Sequence, residues 1–375
     1  MTMKFYHKPT KTKSILAYCA YSAGVGIILL FFARNFDWFG EFYASRIYPI
    51  FPNSLGRLMS LFPFSVFEIL IYLFVLTIVI YIIYFLFSVV FPKLDETRLE
   101  IAKRLGIRFV CVFLAVICTM FLLFTCTTGI NYSRDTFAEL TNRQIAPSSR
   151  EELRALAEHL INDLTELSRK IPVDEHRRFT LGDLDVNSEA REAMRLLGEE
   201  IPVLAGFYPN SKPVIASRVM SHFNITGIFT PTVEANFNQE VPDHLIPFTI
   251  VHELAHFRGF MREDEANFIA YLACRGSESV EFRYSGAINA LRHVLNAYAQ
   301  VATPHQFNEL MQTVPRQVQR DFAANREFWD QFRGRAAEIS TRVNDAYLRA
   351  NAQEDGVRSY GRMVDLLLAE YRNSF

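Results

Sequence analysis

Net charge is almost absent from this 375-residue sequence, in which 39 Lys and Arg face 40 Asp and Glu to leave −1. No broad electrostatic footprint for nucleic acid is available, so phosphate backbones are not expected as partners. Cysteine is scarce at five, and Cys19, Cys111, Cys118 and Cys126 all lie in apolar runs, with only Cys274 beyond them. That distribution excludes a disulfide framework of the small secreted kind, and no intrachain bridge can staple the later region. Low-complexity tracts are missing. So are repeats, apart from the echo of Glu234-Ala235-Asn236-Phe237 in Glu265-Ala266-Asn267-Phe268. Charged residues make up only 21% and crowd into the last two thirds of the chain. What is abundant is apolar: half of all residues, with 14% aromatic and 34 Phe, above the usual globular level. Part of the chain should therefore meet lipid.

The runs Ser14–Ala33, Ile69–Phe91 and Phe109–Ser133 carry no charge. Each is long enough to cross a hydrocarbon layer of about 30 Å as a helix, which predicts spans at about 14–33, 64–91 and 109–131. The first is too long for a signal peptide and lacks a small-x-small cleavage site, so it reads as an uncleaved anchor. Lys4, Lys8, Lys11 and Lys13 precede it, and Lys93, Arg98, Lys103, Arg104 and Arg108 lie between the second and third runs. Only Arg34, Arg46 and Arg57 occupy the other loop. This bias predicts a multi-pass protein of the cell membrane with a cytoplasmic N-terminus and everything after Ser133 extracytoplasmic. The aromatic loop 34–63, with Trp38, Phe39, Phe42, Tyr43 and Tyr48, suits the headgroup level. Glu68, at the end of the second span, is expected near water.

Residues 134–375 suffice for one sizeable domain. Ser149 caps a helix bearing Leu153, Leu156, Leu160, Leu164 and Leu167 at helical spacing, and a shorter helix follows over Ser188–Leu197. Between Pro202 and Val241 the chain turns to Pro, Gly and β-branched residues, predicting short strands at Val214-Ile215-Ala216 and Ile225–Thr230. Helical signals return at Phe248–Arg258, Glu263–Cys274 and Tyr284–Thr303.

The first of these helices contains His252-Glu253-Leu254-Ala255-His256. Histidines at i and i+4 share a helical face, so both imidazoles can reach one zinc ion, with Glu253 beside them to act on water. Catalytic zinc needs three protein ligands and an open fourth position. Ile250, Val251, Leu254, Ala255 and Phe257 surround the polar triplet, so these groups would be buried without compensation unless a cation joins them. Gly259 stands where a left-handed helix C-cap belongs. Three carboxylates, Glu263, Asp264 and Glu265, open the next helix and offer a third ligand.

HExxH, a turn and then Glu-x-x-Ala-Asn is similar to gluzincin metallopeptidases. That resemblance covers only about 25 residues and implies Glu263 as third zinc ligand and Asn267 as a group supporting a ligand histidine, with Glu265 as second choice. Over nearly its full length, with three N-terminal apolar helices and HELAHFRGFMREDEANFIAYLAC, the chain resembles the uncharacterised bacterial family called domain of unknown function 3810. The step of seven positions from His256 to Glu263 is shorter than in most gluzincins, and Arg262 occupies the position of the third metzincin ligand, which excludes that class. The expectation is a membrane-anchored, mainly α protein. Residues 1–133 form its membrane domain, and residues 134–375 an α+β zincin-like domain with a small β element before the HExxH helix.

The implied activity is zinc-assisted hydrolysis of a protein or peptide substrate, with Glu253 as base and His252, His256 and Glu263 on the metal. Tyr284, His293 and Tyr271 are candidates to stabilise the oxyanion, and each also reads as a packed helix residue. The stretch Gly227–Asn238 can be core or an edge that pairs with a peptide. His222 and His244 read as structural, Cys274 as a small core hydrophobe, and Arg258 and Arg262 as balancing the carboxylates. Two other readings are a non-catalytic membrane scaffold with structural zinc and a zinc amidohydrolase acting on lipid or cell wall. The sequence does not fix the oligomeric state.

Overall fold

The computed structural model describes residues 10–92, 97–351, 353 and 362–373. Lys4, Lys8 and Lys93, used above for orientation, lie outside them. Three helices are long and apolar enough to cross a bilayer: α1 (Thr10–Asn35), α2 (Val66–Val90) and α3 (Arg98–Phe124). The most apolar window of α2 has none of its residues buried against protein, as befits a helix that is hydrophobic all round. Both α1 and α2 pack against α3. α3 starts well before the expected residue 109, because Thr97 and Glu100 form a capping box inside the charged stretch. Freedom from charge marks what can sit in lipid, whereas a helix needs only satisfied ends. A π turn, Thr125–Gly129, and a 3-10 turn, Ile130–Ser133, complete the third apolar segment.

The loop between α1 and α2 serves two surroundings. Trp38 and Phe42 are exposed, as a headgroup belt would be, but Tyr43, Tyr48 and Gly56 are buried. The Tyr48 hydroxyl donates to the carbonyls of His256 and Phe257 at 3.3 and 3.2 Å. Gly56 backs onto the Phe257 ring so closely that a Cβ would stand 2.8 Å from it. The expectation for Glu68 is corrected: it is buried, and its carboxylate accepts the backbone amides of Ile215 and Ala216 at 2.9 and 2.8 Å and the Tyr72 hydroxyl at 2.5 Å. Its position at a helix end does place it near water in sequence, but the later chain folds over it.

Beyond residue 134 come α4 (Arg150–Leu167), capped by Ser149 as expected, and α5 (Val186–Glu200). The sheet has three short strands, β1 (Lys212–Pro213), β2 (Gly227–Thr230) and β3 (Glu234–Phe237), in the order β1-β3-β2, with a six-residue helix α6 (Ser217–His222) between β1 and β2. β1 runs parallel to β3 and β2 antiparallel to it. Val214-Ile215-Ala216 is not the strand expected: Glu68 takes the amides of Ile215 and Ala216 that a ladder would need.

Four helices surround the remaining core: α7 (Ile246–Phe257), α8 (Glu263–Gly276), α9 (Val280–Val301) and α10 (Pro304–Thr313). The chain continues through α11 (Arg316–Asp330), α12 (Arg335–Ala350) and α13 (Met363–Asn373). α7 is central, packed on α8, α9, α5 and β3. Ile250, Val251, Leu254, Ala255 and Phe257 are wholly inaccessible to solvent, and burying each of the larger side chains is worth about 1.5–3 kcal/mol. That burial fixes the rotation of α7 and so the direction of its polar face.

Candidate metal centre

The polar face of α7 carries His252 and His256 with ring centroids 4.6 Å apart and planes at 87°. Pro247 opens the helix, where its missing amide costs nothing. At the other end Gly259, at φ +85°, lets its amide reach the His256 carbonyl at 2.8 Å while Phe260 N donates to Ala255 O at 3.2 Å. The expected C-cap is present, and it has a chemical consequence. Turning the chain there brings the Phe260 carbonyl to 2.7 Å from His256 Nδ1. A carbonyl only accepts, so Nδ1 holds the proton and Nε2 is left with its lone pair.

Glu263, first residue of α8, meets that lone pair. Its Oε2 lies 3.2 Å from His252 Nε2 and 3.9 Å from His256 Nε2, and one ligand atom from each of the three residues falls within 4.8 Å of the others. Atoms bound about 2.0–2.1 Å from one tetrahedral ion stand about 3.3 Å apart; the His252–Glu263 pair is at that spacing and the others are wider, and two imidazoles with a carboxylate are a donor set that zinc accepts. Glu265 does not join them. It is buried elsewhere, accepting Phe137 N at 2.8 Å and Arg262 Nη1 at 3.2 Å. Arg262 thus balances Glu265 and also donates to the carbonyls of Tyr132 and Arg134, whereas Arg258 reaches the Ala205 carbonyl. Asn267 lies near enough to His252 to add, after Glu263, to the preference for the protonated imidazole, while His252 Nδ1 itself makes no hydrogen bond among the described residues.

Glu253 is buried beside this triplet, and its Oε2 has no hydrogen-bond partner. Burial pushes its carboxyl up to about 8, with the charge of Glu263 adding to the rise and His252 opposing it. Burial and the neighbouring His252 pull His256 down to about 4. For His252, burial opposes protonation, but the hydrogen bond and charge of Glu263 prevail and raise its pKa. A cation here would compensate the buried Glu253 Oε2 that lacks a partner and take up the lone pair of His256 Nε2.

The proposed oxyanion residues fare differently. Tyr284 is excluded, because its hydroxyl is committed to Asp321 at 2.5 Å and its ring stacks on Phe179. Tyr271 is also turned away, lying under Arg275 in the neighbourhood of Asp163 and Glu370. His293 is near enough to His252 for their charges to interact, and burial pulls it down to about 3. The phenols on the Glu263 side are Tyr132 and Tyr347, hydrogen-bonded to each other at 3.2 Å. Burial chiefly, with help from Glu263, pushes Tyr347 up to about 12. Neither has a motif in the sequence, since only the fold brings them beside α8. His222 packs edge-on to Phe332, His244 is buried with a pKa near 3, and Cys274 is buried against Gly286, all in structural roles.

β2 borders the site. A Cβ on Gly227 would stand 2.3 Å from Glu253 Oε1, and Phe229 lies 6.4 Å from the His256 ring. Because Asn238 N donates to Thr226 O, alternation in the ladder directs the amides of Gly227 and Phe229 to the side away from β3. Among the described residues no strand pairs with that side.

No curated protein and no solved structure matches the chain. A family model does match residues 43–368, taking in the aromatic loop from Tyr43 onward, the second and third apolar helices, the sheet and both helices of the candidate centre, and the chain belongs to the family described as protein of unknown function (DUF3810).

Proposed function

We propose that this protein is a membrane-anchored, zinc-dependent metallopeptidase of zincin-like build, with its polar region extracytoplasmic as the basic-residue bias expects. The observation that carries the reading is the convergence of His252, His256 and Glu263 next to a buried, unpartnered Glu253 carboxylate. Zinc would supply Lewis acidity, polarising a scissile carbonyl and acidifying water. His256 is presented for it by the Phe260 carbonyl, and Glu263 is carried in by the turn at Gly259. Glu253 Oε2 would take a proton from the attacking water and return it to the leaving amine. The unpaired edge of β2 can hold an extended peptide through the amides of Gly227 and Phe229, directly beside Glu253. A purely structural zinc site needs neither a buried base nor an open strand, so both features favour catalysis on polypeptide.

The test is Glu253→Gln in the full chain, reconstituted with zinc and given a mixed peptide library. One zinc per chain is expected in parent and variant alike, with cleavage reduced by about 10²–10⁴-fold in the variant. Failure of the parent to retain zinc, or equal cleavage by the variant, would sink the proposal.

A further inference from the structure

Beyond residue 134, nine large apolar side chains are exposed among the described residues, and six of them fall in two segments, 215–228 and 335–350. They are Ile215, Val219, Phe223, Ile228, Ile339 and Val343, each between 40% and 65% exposed. Ile215, Val219 and Phe223 recur every fourth residue along α6 and its flanks, and Ile339 and Val343 do the same on α12. Scattered exposed hydrophobics need no explanation, whereas a contiguous set marks an interaction surface.

The contacts of these segments give their level relative to the helical bundle. Ile215 is held by Glu68 in the first turn of α2. From there the path runs through α6 to Phe223, whose carbonyl accepts from Ser340 Oγ at 2.7 Å, and so onto α12. α12 then ends at the other two apolar helices: Arg34, in the last turn of α1, donates to the Ala350 carbonyl at 2.6 Å, and Tyr347 packs edge-on to Phe124, the last residue of α3. Both ends of the path are thereby tied to the same end of the bundle, where all three helices leave their apolar runs. Exposed Trp38, Phe42 and Leu61 lie at that same end.

We infer that segments 215–228 and 335–350 form a lipid-binding face, seated in the headgroup and upper acyl layer of the bilayer and continuous with the aromatic loop between α1 and α2. The occupant is lipid, because the face extends a surface that already surrounds helices of bilayer-crossing length. Ile228 belongs to β2 and, by strand alternation, projects from the sheet face opposite Gly227 and Glu253, so the open strand edge borders this face. A polypeptide reaching that edge would do so at the membrane surface. The face rests on the bundle crossing a bilayer and not on hydrolysis, so its failure and that of the zinc reading are separately visible.

The test uses the full chain with Trp38→Phe and Trp329→Phe, which removes both native tryptophans, and a single new one from Val219→Trp or Val343→Trp. Each variant is reconstituted in phosphatidylcholine vesicles containing acyl-brominated lipid. Both new tryptophans are expected to show blue-shifted emission, quenched most by bromines about 5–10 Å below the headgroup boundary. Val301→Trp, on the exposed end of α9, should be quenched only by aqueous iodide. Iodide quenching without bromine quenching at either position 219 or 343 overturns the continuous face, as does shielding from both quenchers, the result a second copy of the chain would give.

Discussion

Six residues separate His256 from Glu263, and in that short interval the choice between two carboxylates is made by geometry. Glu263 turns toward the imidazoles while Glu265 is drawn under Phe137 by a backbone amide. Glu263→Ala should therefore abolish stoichiometric zinc binding. Glu265→Ala should retain zinc and lose about 1–3 kcal/mol of stability from the Phe137 amide left unpaired. Metal analysis and denaturation of the two variants check this, and equal zinc loss in both would reverse the assignment. Glu253 gives a pH signature when zinc is chelated. Its folded pKa is raised from 4.5 to about 8, so the folded state holds a proton that the unfolded state releases. Its contribution is complete below about pH 4.5 and is lost as pH rises through about 8. Gln does not titrate, so Glu253→Gln should gain on the parent across that window, on the order of a few kcal/mol, and zinc should narrow the gap. Melting temperatures at several pH values with chelator measure it. His252, Glu253 and His256 were legible in the sequence because one helix fixes their spacing. Tyr132 and Tyr347 were not, since nothing local ties either to α8.

At the scale of elements, the four residues Glu-Ala-Asn-Phe show how far local sequence reaches. At 234–237 they form β3, and at 265–268 they lie within α8. Neighbouring strands supply the ladder in the first case, and the α7–α8 turn supplies helical continuation in the second. Helices with clear caps and periodicity, such as α4, could be read in advance, whereas β1 was displaced because its competitor for backbone amides, Glu68, lies far away in sequence. Gly227 is where element geometry meets chemistry. Gly227→Ala would drive a methyl against Glu253 Oε1 and the Thr249 side chain, so on the proposed function cleavage should fall by about 10-fold or more while zinc content holds, the carboxylate being displaced from the proton transfer proposed for it. Unchanged kcat with full zinc would show that β2 stands farther from the base.

For the whole molecule, the joint between bundle and polar region is the feature that composition did not reveal. Two buried carboxylates cross it in opposite directions. Glu68 reaches from α2 to the amides after β1, and Glu234 reaches from β3 to the amides of Val66 and Phe67 at 2.9 and 3.0 Å, while pairing with buried Lys212 at 2.6 Å. Lys212 in turn donates to the Met59 carbonyl. Glu234→Gln would leave that ammonium without its counter-charge, at a cost of about 3–5 kcal/mol. Proteolysis of the variant in detergent should release fragments at lower temperature than the parent, and matching resistance would show the pair to be dispensable.

These interlocked contacts bear on how the protein can be handled. A soluble piece begun at residue 134 would be missing Glu68, the Tyr48 hydroxyl that holds the end of α7, and the amides that occupy Glu234. Its sheet and its HExxH helix would each expose polar atoms that the intact chain satisfies. Cutting away the greasy third would thus damage the hydrophilic remainder, and preparations meant for metal or cleavage assays should keep every helix.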